Sequence, residues 1–151
     1  MENGDLLQRS DLMMPWGTEQ NRKLPISDKL KKGNTMLATF AYKIFRSLDL
    51  DESEEQISAT AGSVHGWFIS NLAASTRYIK FYNATDANVT VGTTTPILTI
   101  PLEGDQAANV EFQGGIVFDT AITVAATTGV ADSDTGAPGV NEIVINVLYK
   151  N

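Results

Sequence analysis

Ile143-Val144-Ile145-Asn146-Val147-Leu148-Tyr149, close to the C-terminus, sets Ile143, Ile145, Val147 and Tyr149 at every second position. A period of two places alternate side chains on opposite faces of an extended chain, so these four share one face and the stretch predicts a half-buried β-strand. Upstream of the Gly/Asp/Pro-rich loop 129–141, Ile116 to Ala126 reads as the longest strand, with Ile116, Phe118, Ile122 and Val124 on one side. Further back come Asn109 to Gln113, Pro96 to Leu102 with Leu98, Ile100 and Leu102 together, Arg77 to Asn83, Val64 to Asn71, and Gln56 to Ala61. Gly114-Gly115 has no helix after it, so it reads as a turn or bulge and not as a phosphate cradle. From Leu37, Phe40, Tyr42 and Ile44 alternate with Ala41, Lys43 and Phe45, which suits a strand; a short helix over 36–47 is the competing reading. Short strand candidates separated by turn residues predict an all-β fold, an antiparallel β-sandwich of about eight strands. A jelly roll is preferred to the immunoglobulin-like or tumour-necrosis-factor-like sandwich, whose patterning is similar.

The 151 residues carry a formal charge of −7, no Cys and a single histidine. That length suits one domain with an appendage. The acidic balance disfavours a nucleic-acid partner held by phosphate contacts and an anionic membrane surface. Between Lys80 and Lys150 not one side chain is positive. No run of about 18 apolar residues predicts a membrane-spanning helix. Met1-Glu2-Asn3-Gly4-Asp5 does not read as a secretory signal, so synthesis in a cytosol is expected. Without Cys, thiolate metal sites, disulfides and Cys nucleophiles are excluded.

Composition divides the chain into residues 1–35, 36–55 and 56–151. The first piece has six basic side chains against five acidic and shows no sustained periodicity, and Pro15 and Pro25 interrupt it. It reads as an extended N-terminal arm: ordering its backbone costs roughly 1–2 kcal/mol per residue, which its few apolar side chains cannot offset alone. The arm residues expected to meet a partner are Leu6, Leu7, Leu12, Met13, Met14 and Trp16 through apolar contact, and Arg22, Lys23, Lys29, Lys31 and Lys32 through charge. Residues 36–55 are a connecting strand or short helix ending in the acidic run Asp49 to Glu55, and 56–151 are the sandwich.

Candidate chemistry is sparse. His65 lies in a strand with no nucleophile or orienting carboxylate evident beside it, so it reads as a packed or interface histidine. Glu103, Asp105 and Asp119 could in principle supply a glycosidase pair, but they fall in turns or on a strand's polar side. Asp132-Ser133-Asp134-Thr135-Gly136 spaces oxygens as a calcium loop begins, with a plain Asx-type turn as the simpler reading. Asn83-Ala84-Thr85 and Asn88-Val89-Thr90 match the glycosylation acceptor pattern and read as polar loops. Trp67, Tyr78 and Tyr82 could stack on sugars if exposed. No catalytic residue, cofactor or metal ligand is assigned, and the chain is not expected to be an enzyme. Sheet edges poor in Lys predict that edges and one outer face are covered by a neighbour, a homotrimer being favoured.

Gly66-Trp67-Phe68-Ile69-Ser70-Asn71, Arg77-Tyr78-Ile79-Lys80-Phe81-Tyr82-Asn83, Val91 to Pro101, and the close from Ala131 through Asn141 to Lys150 resemble small structural proteins of tailed bacteriophages, particularly those of cyanobacteria and other aquatic hosts. The resemblance covers about residues 56–151. It implies a jelly-roll capsid decoration, or cement, protein sitting as a trimer on the outer surface of the shell and bridging subunits of the major capsid protein. A glycan- or receptor-binding module of a phage fibre or knob is the alternative.

Overall fold

The computed structural model describes residues 41–151, so the arm 1–35 lies outside the described residues. Eight strands follow in order: β1 (Lys43–Ser47), β2 (Glu55–Ser58), β3 (Gly62–Asn71), β4 (Arg77–Tyr82), β5 (Leu98–Leu102), β6 (Ala107–Phe118), β7 (Ile122–Thr127) and β8 (Ile143–Lys150), with one short 3-10 turn at Asp86–Asn88. They form two four-stranded antiparallel sheets, ordered β1-β8-β3-β6 and β2-β7-β4-β5. The pairs β4–β5, β3–β6, β2–β7 and β1–β8 are the rungs of one long hairpin folded at the β4–β5 connection. Wrapping that hairpin over itself adds β3–β8 and β4–β7 and splits the ladder into two sheets, which is the eight-stranded jelly roll.

The alternation read in the sequence is what fills the space between the sheets. Ile143, Ile145 and Val147 of β8 point inward with Val64, Trp67 and Ile69 of β3, and meet Ile79 and Phe81 of β4 and Ile122, Val124 and Ala126 of β7. The rings of Trp67 and Phe81 stand 6.0 Å apart, and those of Phe81 and Phe118 6.3 Å. Burial of such side chains contributes roughly 1.5–3 kcal/mol each, the main term opposing chain entropy.

The segmentation differs from expectation in two places. Of residues 36–55, expected as a connecting strand or short helix ahead of the sandwich, 43–47 are extended and supply β1 to one sheet, and Glu55 opens β2 of the other. The second difference lies at Gly114-Gly115. Val64 pairs with Ile116 while Gly66 pairs with Glu111, so Phe112 to Gly115 together oppose the one residue His65. This is a large bulge of four residues against one, and Gly115 takes a φ of +71° within it. Strand β6 therefore runs on to Phe118, and the real corner is Asp119 to Ala121, where the Thr120 N–H donates to Asn83 Oδ1 at 2.9 Å. Two strands expected at 109–113 and 116–126 are thus recut as β6 and β7.

Each edge strand carries a feature that disfavours further pairing. Strand β1 carries Lys43 and Arg46, β2 has four residues and a register shift, β5 contains Pro101, and β6 has its bulge. We expect Phe81→Ala, which empties the centre of the aromatic group, to cost about 3–5 kcal/mol in chemical denaturation while leaving the denaturant slope unchanged.

Candidate functional site

The two outer faces of this sandwich differ. On the β2-β7-β4-β5 sheet the outward positions Lys80, Tyr82, Thr123, Ala125 and Thr127 are all completely buried. The loops before β5 and before β8 seal them: Val89 and Val91 pack on Tyr82 and Ala125, and the Lys80 ammonium donates to the Ala131 carbonyl at 2.6 Å. The Tyr82 hydroxyl has no hydrogen-bond partner among the described residues. Burial, then the charges of Asp132 and Glu54, pushes its pKa up to about 12.

On the β1-β8-β3-β6 sheet the register lines up two outward rows. Arg46, Asn146, Phe68 and Asn109 form one, and Ile44, Leu148, Gly66 and Glu111 the other. Ile44 is 67% exposed and Phe68 45%, with Leu72 and Leu48 exposed just beyond the strands. Scattered exposed apolar residues are ordinary, but here Ile44 and Phe68 share one sheet face and mark the candidate interaction surface.

His65 sits at the end of this face as the bulged residue of β3, buried under the Tyr42 ring at 5.0 Å. Its Nε2 is 2.9 Å from Ser63 Oγ, a contact the sequence reading missed because it looked for partners next in the chain, whereas residues two apart share a strand face. Among the described residues Nδ1 is buried without a hydrogen-bond partner, and none of their carboxylates orients the ring.

The other sequence candidates separate. Glu103 and Asp105 lie in the β5–β6 turn and Asp119 in the β6–β7 turn, at opposite ends of β6 and roughly 25 Å apart by strand rise, so these carboxylates do not converge. Asp134 Oδ1 accepts from the N–H groups of Gly129 and Gly136 at 2.9 and 3.0 Å, the Asx-type turn. No cluster of three metal-ligating side chains occurs among the described residues. Of the aromatic set, Trp67 is packed against Phe81 and Phe112 and Tyr82 lies beneath the loops, so both are unavailable to a sugar; Tyr78 is half-buried. Asn83 is engaged with Thr120, and Asn88 Nδ2 donates to Thr85. Leu6, Leu7, Leu12, Met13, Met14, Trp16, Arg22, Lys23, Lys29, Lys31 and Lys32 lie outside the described residues.

Two polar devices escaped the sequence reading. Buried Asn71 donates from Nδ2 to the carbonyls of Ser75, Leu102 and Glu103 and accepts from the Ala73 N–H, tying the β3–β4 corner to the end of β5. Arg77 pairs with Glu142 at 2.7 Å, joining β4 to the entry of β8. No family model, curated protein or solved structure matches the chain.

The Gly139 N–H and the Arg77 guanidinium hold the Glu142 carboxyl below its ordinary value of 4.5. A depressed carboxylate stabilises the fold above its unfolded pKa and loses that contribution as pH falls through the folded one. Glu142→Gln should therefore lower stability at pH 7 by less than about 1 kcal/mol, the pair being solvent-screened, and the gap should close below pH 4.5 in thermal melts. Tyr82 works in the opposite sense: the unfolded chain ionises near 10 and the folded one near 12, so stability falls as pH rises between them. Tyr82→Phe should lack that alkaline loss, and one of the four tyrosines should titrate late in ultraviolet absorbance.

Proposed function

We propose that this chain is a structural, assembly-forming protein: a jelly-roll module that decorates and stabilises a phage capsid on its outer surface by bridging major capsid protein subunits, and that associates with its own copies. It would be made in the host cytoplasm and incorporated into the virion. The observation that carries the reading is the inequality of the two outer faces among the described residues, one sealed by the chain's own loops and the other exposing Ile44 and Phe68 between polar neighbours. A folded module that leaves Ile44, Phe68 and Leu72 in water gains by covering them, and a shell supplies many copies of a surface to cover them with. The resemblance of four segments between Gly66 and Lys150 to phage structural proteins supports the same reading.

The mechanism asks no chemistry of the protein. Each bridging contact adds apolar and main-chain burial between shell subunits, so opening the shell must break more contacts at once. The basic, Pro-interrupted segment 1–35 extends the span: fully extended it reaches roughly 100 Å, enough to cross a subunit boundary. Arms that order on binding cover much surface for their length.

Binding of purified chain to capsids lacking it, followed by cosedimentation and by the temperature at which the shell opens, tests the proposal. The full chain should cosediment and raise the opening temperature. A chain lacking 1–35 should fold with the same far-ultraviolet circular dichroism but lose most of the binding. Absence of cosedimentation by the full chain ends the capsid reading, and binding undiminished by the deletion removes the arm from it.

A further inference from the structure

We propose that two copies of this chain pair edge to edge through the first part of β6, Ala107 to Glu111, about a two-fold axis that passes beside Asn109 perpendicular to the sheet and joins two four-stranded sheets into one of eight. The inference rests on the reading of the chain as self-associating and names the seam and its register.

The two long sides of the sandwich are closed unequally. Along β1 and β2, Leu50 of the connecting segment and Ile57 are buried and shut the interior. Along β5 and β6 the inward positions stay half-covered: Leu98 and Ile100 on β5 and Ala108 and Phe112 on β6 pack against the core without being buried, and Val110, opposite inward-facing Trp67, is 38% exposed. The edge beside them is open, since β6 has β3 on one side and no strand on the other among the described residues. Lys43 and Arg46 guard the edge at β1, Pro101 guards β5, and β2 is short with a register shift. The bulge of β6 bars Phe112 to Gly115 from an added ladder, but Ala107 to Glu111 pair with Ser70 to Gly66 without a break and contain no Lys, Arg or Pro. A regular, unguarded edge is a template for another strand, and a strand laid there also covers the half-open apolar row behind it.

Parity and charge select the register. With the axis at Asn109, Ala107 stands opposite Glu111 and Ala108 opposite Val110, so inward positions meet inward positions and the whole regular stretch is used. Shifting the axis to Ala108 brings Asp105 beside Glu111, and shifting it to Glu111 sets that carboxylate against itself, both repulsive; an axis at Val110 runs Ala108 into the bulge at Phe112. Pro101 denies β5 a matching ladder, so the contact closes as a pair and does not continue into the ring of three expected from composition. Because the axis is perpendicular to the sheet, the outer faces of both copies look the same way, and Ile44 and Phe68 of each remain free for the shell. A seam about 17 Å long and roughly 15–20 Å deep covers about 250–350 Å² per copy, less than half of the roughly 800 Å² of a standard interface. Pairing in solution is therefore weak, and it strengthens when a shell holds two copies side by side.

Light scattering on the full chain from about 10 to 500 μM reads the pairing. The mean mass should climb from 16.3 kDa toward twice that value. Asn109→Lys, at an exposed outward position, sets like charges face to face on the axis and should weaken pairing at least about fivefold with unchanged circular dichroism. The chain has no Cys, so a single introduced thiol reports the register. Asn109→Cys should oxidise to a covalent dimer, whereas Ala107→Cys, about 14 Å from its own copy across the seam, should not. A monomer throughout the range overturns the seam and the self-association reading together, while shell binding, measured by cosedimentation, stands on its own result. A trimer, or a dimer indifferent to Asn109→Lys, overturns the seam and leaves self-association intact. A covalent dimer that forms no faster with Asn109→Cys than with Ala107→Cys overturns the register.

Discussion

The pairings of β3 with β8 and of β4 with β7 are what the rest of this fold depends on. Without them the chain is a long two-stranded ribbon, whose rungs bury little apolar surface and which is marginal in water. Wrapping brings Ile143, Ile145 and Val147 into the same interior as Ile79, Phe81, Ile122 and Val124, and only then does apolar burial exceed the entropy of closing connections as long as 83–97. Much of the pairing is non-local, which predicts slow folding relative to helical domains of this size.

Burial inside the sandwich does not explain its exterior, where the two sheets are treated in opposite ways. The β4–β5 and β7–β8 connections are long, and their length is used: Val89, Val91 and Ala131 come back over the outer surface of their own sheet and bury Lys80 and Tyr82. A buried ammonium bonded to a carbonyl and a buried phenol without a partner are costly choices for a surface that could have faced water. The connections β2–β3 and β6–β7 between the sheets are short, and among the described residues no loop lies over Phe68 and Ile44.

The sandwich and most of its strands were legible in the sequence because alternation survives wherever one face is buried, as in Ile143 to Tyr149. Legibility failed where a bulge changes parity. At His65 the inward set passes from Val64 to Trp67, three positions along, and opposite it Gly114-Gly115 reads as a break although the ladder resumes beyond it. Outward positions are hard to read for a different reason. Tyr82 and Lys80 have the polarity and parity of solvent-facing residues, and nothing in their own strand reveals that the β4–β5 loop will cover the first and Ala131, some fifty residues later, the second. The Ser63–His65 contact and the Asn71 knot are of the same kind, depending on strand geometry and on chain that arrives from elsewhere.

The stretch free of positive charge between Lys80 and Lys150 acquires a meaning from this geometry. Strands β5, β6 and β7 all lie inside it, so on the open face β6 contributes Glu111 and no cation, while Arg46 comes from β1 at the far edge. The outward charges of this sheet therefore sort by strand: Arg46 on β1 and Lys150 on β8 are positive, and Glu111 on β6 is negative. Uneven charge along the chain, which first served only to divide it, becomes through the strand order an uneven distribution of sign across one sheet.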